Sequence, residues 1–341
     1  METSKFISMT RWLLGGLLVA AVSLFSASAS AQQKTRVALA SSSVNYAPYF
    51  IGIAKGYYKE EGFDIEIVKA TGAASTAALL SGDIPYSTSG AAAMSAAMKG
   101  APVKLIFFPW DRPTFQIWST TPAIKTMQDL KGKSIGIQAR GDTFEIALRM
   151  ALMANKMDPN SIGYTALGYG SGRFATIMSG SLPAAMISRV DVEKLREMGA
   201  LDRGHMVYDM YDAIRMPLTS LAVPDALIKK DRERVKAFTR ASIKAFRYAQ
   251  VFKEQTIDIV TKYNEGNASR DVVAENYEDV IATKSENGTV PVSAMEIEIA
   301  VRGQIMEIPP DKLPKVEKIF DLSMAEEVNK ELDASGWKPT P

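Results

Sequence analysis

Short β-rich runs alternating with longer amphipathic ones predict an α/β protein with mainly parallel sheets. Three observations carry that expectation. From Thr35 onward the apolar pattern switches repeatedly between strand-like alternation and helical spacing. The strings "LLSGDIPYSTSG" and "IMSGSLPAAMIS" share one plan of helix end, Ser-Gly, short turn and strand, as two lobes built alike would. The 310 residues that follow residues 1–31 suggest about two domains or lobes.

Each element has a local reason. "RVALA" reads as a strand, ended by the polar loop Ser41 to Asn45. "APYFIGIAKGYYKEEG" reads as one amphipathic helix, with Pro48 tolerated near its first turn and Gly62 as a left-handed stop. "FDIEIVKA" alternates and is a strand; "TGAASTAALLSG" is a loop feeding a short helix, and "IPYSTS" is strand-like. "GAAAMSAAMKG" is a small-residue helix and "PVKLIFFPW" a buried strand. The second unit repeats the logic: a strand over Ser134 to Gln138, a glycine loop, and a helix to about Asn155. "SIGYTALGYGSG" and "RFATIMSGSLPAAMIS" continue with strand, loop, helix and strand, "RVDVEKLREMGA" is a helix, and "GHMVYDM" a strand. "MPLTSLAVP" is extended and could return the chain to the first unit; helical stretches follow from Asp231 to about Glu286 and from Val292 to about Glu331.

Residues 1–31 read as a secretory signal peptide. Lys5 and Arg11 form a basic start, Trp12 to Phe25 is apolar but short for a membrane span, and Ala29-Ser30-Ala31 is a small-x-small cleavage pattern. Cleavage before Gln32 leaves 310 residues with 38 basic and 37 acidic side chains. That balance gives no electrostatic case for nucleic acid. The absence of cysteine excludes disulfides and a lipid-modified N-terminal cysteine. The expected location is the bacterial periplasm, without a lipoprotein anchor.

"YAPYFIGIAKGYYKEEGFDIEIV", "GAASTAALLSGDIPYS", "DLKGKSIGIQARGDTFEIALRMAL" and "ALGYGSGRFATIMSGSLPAAMI" together resemble the periplasmic solute-binding proteins of nitrate/sulfonate/taurine ABC importers, a family that includes binding proteins for thiamine-pyrimidine precursors. The resemblance runs to about Ala249, and "GDIPYS" departs from it by placing Pro85 where an acidic residue is usual. It implies a type II periplasmic binding protein, with two α/β lobes, a ligand cleft and two hinge crossings. Lobe 1 is expected at 32–118 and 220–341 and lobe 2 at 119–219, with crossings near Phe115 to Pro122 and Met216 to Pro224. It also implies a monomer serving an inner-membrane permease and ATPase, with a small-molecule ligand and no cofactor.

In α/β sheets, ligands sit beyond the carboxyl ends of strands, where loops enter helix N-termini with unpaired N–H groups. Asn45 and Tyr46, Gly72 and Ala73, Ser89 and Gly90, and Gln138, Arg140, Gly141 and Thr143 occupy such places, and Ser188 ends another strand. Arg112 follows a buried strand, and with Arg140 it offers guanidinium donors suited to carboxylate or sulfonate; an alternative is a surface pair with Asp111. "DTFE" has the form of a capping box, which places the Asp142 carboxylate where a ligand anion would be repelled. Tyr46, Trp110 and Tyr169 could stack on a planar ring or pack in the core.

Catalytic and metal chemistry is poorly supplied. His205 is the single histidine, and no phosphate loop or nucleophile elbow is present. Eukaryotic pyrimidine-synthesising relatives use a cysteine-rich motif that this chain lacks. The expectation is therefore a non-enzymatic binding protein for an organic sulfonate or carboxylate. A neutral heterocycle such as a pyrimidine precursor is the second ligand class, and an enzyme on a small heterocycle or a sensor adaptor are rivals of other kinds.

Overall fold

Two five-stranded sheets organise the chain in a computed structural model that describes residues 32–168, 171–266 and 268–341. Apart from Gln33, the first residue of one strand, both lie in Lys34–Pro341, one compact unit by its contacts. The signal peptide at 1–31 and Tyr169 lie outside the described residues. Sheet one holds β1 (Gln33–Leu39), β2 (Phe63–Lys69), β3 (Tyr86–Ser87), β4 (Val103–Phe107) and β10 (Leu221–Pro224), in the order β2-β1-β3-β10-β4. Sheet two holds β5 (Phe115–Ser119), β6 (Ser134–Ile137), β7 (Gly163–Ala166), β8 (Ala184–Ser188) and β9 (His205–Asp209), in the order β7-β6-β8-β5-β9.

The two orders superpose position by position. The matching strings of the sequence lead into β3 and β8, the third strand of each sheet, so the internal likeness has a topological origin. The sheets are mixed, which corrects the expectation of mainly parallel pairing. β1 with β3, and β6 with β7 and β8, are parallel, but β10 and β5 run antiparallel to both neighbours. The reason is the chain path. Each sheet receives its fourth strand from a crossing segment that arrives from the other lobe, against the direction of the βαβ units.

The crossings are 108–114 and 210–220. Phe115–Ser119 is already strand β5, so the first crossing lies upstream of the expected Phe115 to Pro122, and a lobe boundary at 118 would cut a strand. The second overlaps the expected Met216 to Pro224 in its first half, its remainder being β10. The crossings hydrogen-bond to each other, Met216 N to Asp111 O at 2.9 Å and Leu218 N to Trp110 O at 3.2 Å.

Helices cover the sheets. The expected first helix is two, α1 (Ala47–Ala54) and α2 (Tyr57–Glu60), broken where Gly56 takes φ 77°. That break folds Tyr58 back so closely that a Cβ on Gly52 would lie 2.4 Å from its ring. Next come α3 (Gly72–Ser81), α4 (Gly90–Met98), α5 (Thr143–Ala154), α6 (Ser171–Ser179) and α7 (Arg189–Glu197). The C-terminal third divides into α8 (Asp225–Lys230), α9 (Arg232–Val251), α10 (Lys253–Tyr263), α11 (Arg270–Ala282), α12 (Val292–Ile305), α13 (Val316–Ile319) and α14 (Ser323–Ala334).

Buried Phe238, Phe246 and Tyr248 of α9 pack with Tyr58, Phe63 and Tyr86 on one face of sheet one. Burial of side chains this size contributes roughly 2 kcal/mol each. Met94, Leu105 and Phe320 fill the other face, and Ile117, Ile135, Leu148 and Met186 build the second lobe's core. Helix α12 packs on α4 and α13 of the first lobe and on α5 of the second, and its Val301 is buried in the second lobe's core.

Candidate functional site

A cavity of about 760 Å³ opens beside both crossings, walled by residues of both sheets' loops. The first lobe supplies its wall from the starts of α3 and α4. Thr71 and Ser89 precede these helices, and neither side chain caps its helix, so the first-turn N–H groups keep their donor capacity toward the cavity side. Gly72 takes φ 55°, a left-handed conformation that costs a glycine little. Gly90 is required for a different reason. A Cβ there would lie 1.6 Å from Ser220 Oγ, so the α4 start touches the second crossing directly.

The second lobe meets the cavity with acidic caps instead. Asp142 Oδ1 accepts from Glu145 N at 3.0 Å and Oδ2 from Ala139 N at 3.1 Å. The capping box is altered in its second half: Glu145 reaches Gly141 N at 2.7 Å, one residue before the cap. Burial pushes the Asp142 carboxyl above its ordinary range, against the backbone hydrogen bonds it accepts. Glu145, fully buried, also takes Arg140 Nε at 3.1 Å and Arg149 Nε at 2.9 Å. Arg140 lies 5.1 Å from the Tyr164 ring centre and is half exposed.

The anticipated residues divide by place. Asn45, Tyr46, Gly72, Ser89, Gly90, Trp110, Arg112, Gln138, Arg140, Gly141 and Thr143 line this one cavity, and Ala73 does not. Ser188 lines a neighbouring cavity of about 1070 Å³, where it caps α7 in a reciprocal box with Asp191. Gln138 is engaged as well, its Oε1 accepting from Arg173 Nη1 at 3.0 Å. Burial raises the Tyr46 hydroxyl to about 12.

Of the two roles expected for Trp110 the core-packing one holds, and the pairing with Asp111 offered for Arg112 does not. Trp110 is 1% exposed, packs edge-on against Phe246 and donates its indole N–H to Asn45 O at 2.7 Å. It braces the 43–46 loop and offers little free face to a ring. Arg112 does not pair with Asp111, because the buried Asp111 is taken by Arg215 of the second crossing, Nε to Oδ2 at 2.8 Å. Arg112 instead lies 3.5 Å from the exposed Asp212 and donates to Tyr211 O at 3.4 Å.

Sequence reasoning missed the α12 residues Glu298 and Arg302, both buried and both in the cavity wall. They lie more than 150 residues along the chain from the wall residues that end at Phe144, on a stretch read only as helical; a Glu and an Arg four apart on an otherwise apolar face was the available signal. Thr219, in the second crossing, was also missed; it holds φ 46° against the cavity, an uncommon conformation for a β-branched residue. Elsewhere, Arg189 joins Asp209 at 3.1 Å and reaches Asp279 of α11 at 3.5 Å, and Tyr211 donates its hydroxyl to Ala282 O at 2.7 Å. The contacts to Asp279 and Ala282 reach the first lobe, while Asp209 belongs to Arg189's own lobe.

The family model described as "NMT1/THI5 like" matches residues 43–256. Riboflavin-binding protein RibY of Chloroflexus aurantiacus is 26% identical over 231 residues, which is 64% of this chain and 63% of that relative. The chain thus spans under two thirds of that protein's length. Among solved structures, the putative periplasmic sulfonate-binding protein SsuA of Methylobacillus flagellatus KT has a TM-score of 0.69 at 18% identity, over 91% of this chain and 98% of that one. The periplasmic nitrate-binding protein NrtA of Synechocystis PCC 6803 gives 0.62 at 12% identity, over 88% and 89%. The desulfurization enzyme DSZB gives 0.56 at 11% identity, over 88% and 99%. The fold is that of the periplasmic binding proteins.

Proposed function

The chain belongs to the NMT1/THI5-like family, and from that premise we propose that it is the solute-binding component of an ABC importer. It captures a small organic solute by closure of two lobes in the periplasm and presents the closed form to a membrane permease and its ATPase. The observation that carries this reading is the cavity itself, which is walled by both lobes and both crossings, with two uncapped helix starts on one side. A ligand touching both walls favours the closed arrangement by its differential affinity, and hinge closure is the matching motion. The names of the SsuA and NrtA neighbours support a binding role.

The ligand's acceptor-rich or anionic end belongs at the starts of α3 and α4. Arg112 and Arg140 are the cationic neighbours that keep unpaired donors, and a carboxylate or sulfonate fits them. A volume of about 760 Å³ suits an organic body far better than a bare inorganic oxyanion. A neutral heterocycle is the second reading. It is favoured by the Asp142 carboxylate in the cavity wall and by the likeness to a riboflavin-binding protein.

No bond is made or broken in this account. A thermal-shift screen of sulfonates, carboxylates, pyrimidines and flavins, followed by mass spectrometry of the recovered ligand, tests it. A stabilising ligand recovered intact is expected; steady conversion of that ligand would establish an enzyme instead.

A further inference from the structure

Helices α5 and α12, which pack on each other across the lobes, each carry a buried Glu–Arg pair four residues apart. The two pairs differ in one respect. Glu145 on α5 has both oxygens filled, Oε1 by Arg149 and Oε2 by Gly141 N and Arg140 Nε. Glu298 on α12 is held only through Oε1, which accepts from Arg302 Nε at 2.9 Å and Nη2 at 2.7 Å. Its Oε2 has no partner, although the residue is 1% exposed and lines the cavity.

A buried carboxylate oxygen without a donor is costly, and native proteins seldom leave one unfilled without a use for it. Arg302 is already committed. Its other nitrogen, Nη1, donates to Ser95 Oγ at 3.0 Å and to Ala91 O at 3.3 Å. Those contacts set the pair against the first two turns of α4, whose leading N–H groups have no side-chain cap.

The chemistry of a matching group follows from these neighbours. The pair carries no net charge, and the adjacent helix start is electropositive, so a cation is not favoured there. A neutral donor meets Oε2, and acceptors beside that donor meet the α4 amides. A ring N–H flanked by carbonyl oxygen supplies both. Burial pushes the Glu298 carboxyl upward and Arg302 opposes it.

Building on the solute-binding reading above, we infer that Glu298 is a specificity-determining acceptor for the ring N–H of an uncharged lactam or imide heterocycle. Calorimetric titration of the full chain tests this with thymine, lumichrome and riboflavin, each beside its imide-N-methylated counterpart, and with ethanesulfonate as the anionic arm. At least one N–H probe is expected to bind about 10-fold or more tighter than its methylated partner, the loss expected when a charged acceptor is left unpaired. Glu298→Gln is expected to abolish that preference. The methylated comparison uses the unaltered protein, so poor folding of the variant does not blunt it. Equal binding of each pair, or an unchanged preference in Glu298→Gln, overturns the role of Glu298. Binding of ethanesulfonate alone overturns it too while leaving the solute-binding reading in place. No binding in any arm overturns both.

Discussion

Asp111 and Arg215 tie the two crossing segments together, the Arg215 Nε donating to a fully buried Asp111 oxygen at 2.8 Å. The second oxygen, Oδ1, has no partner, so the carboxylate depends on Arg215. Breaking a buried pair costs about 3–5 kcal/mol, and the partial exposure of Arg215 reduces this to about 2 kcal/mol. Arg215→Met is therefore expected to lower the melting temperature by several degrees, read by calorimetry. Asp111→Asn, which removes the buried charge, is expected to cost less. Equal stability of all three proteins would show that the crossings are held by their backbone bonds alone.

Gly90 lies where the α4 start meets Ser220 of the second crossing. Gly90→Ala places a methyl group 1.6 Å from Ser220 Oγ in the present geometry, so the junction must shift. Overpacking of this kind costs about 1–3 kcal/mol. Affinity for the best ligand of the thermal-shift screen is expected to fall about 10-fold or more, the coupled effect expected of residues in contact. Adding Ser220→Gly is expected to restore much of both. Failure of the double variant to recover stability would separate Gly90 from Ser220.

Asp142 caps α5 with a carboxyl raised by burial. Its folded value exceeds its unfolded one, so its contribution to stability is full below the ordinary carboxylate range and is lost as pH rises through the raised value. Asn keeps an acceptor for Glu145 N but sets an NH2 donor against Ala139 N, so Asp142→Asn is expected to be less stable than the parent at low pH. That deficit is expected to narrow as pH rises above about 4, because only the parent loses stability there. The same change is expected to tighten an anionic ligand. A stability difference that is flat with pH would contradict the shift.

Arg189 crosses from the second lobe to Asp279, a pair at 3.5 Å with both partners partly exposed. Such pairs contribute about 0.2–1 kcal/mol. Arg189→Ala is expected to weaken ligand binding by no more than about 5-fold, mainly through faster release, and less so at high salt. A loss above 100-fold in stopped-flow release experiments would make Arg189 a direct ligand contact.

The α/β alternation and the paired lobes were legible because strand and helix periods are local properties. The topological role of the repeated Ser-Gly strings was legible too, since both lead into the third strand of a sheet. The first crossing was not, because "FQIWST" has strand character whichever sheet it joins, and only pairing with β8 and β9 decides. The helix starts near Gly72, Ser89, Gly90 and Thr143 could be placed from their loops. What Trp110 and Arg112 touch could not, because Phe246, Tyr211 and Asp212 come from distant segments. Glu298 and Arg302 escaped for the same reason: helix α12 reads only as a helix until its contact with α4 and α5 is known.

Small-angle scattering of the full chain, with and without a saturating ligand taken from the screen, bears most directly on capture by closure. A decrease in radius of gyration on ligand addition, reversed when the ligand is dialysed away, is the expected result. An unchanged scattering profile at proven saturation would contradict it.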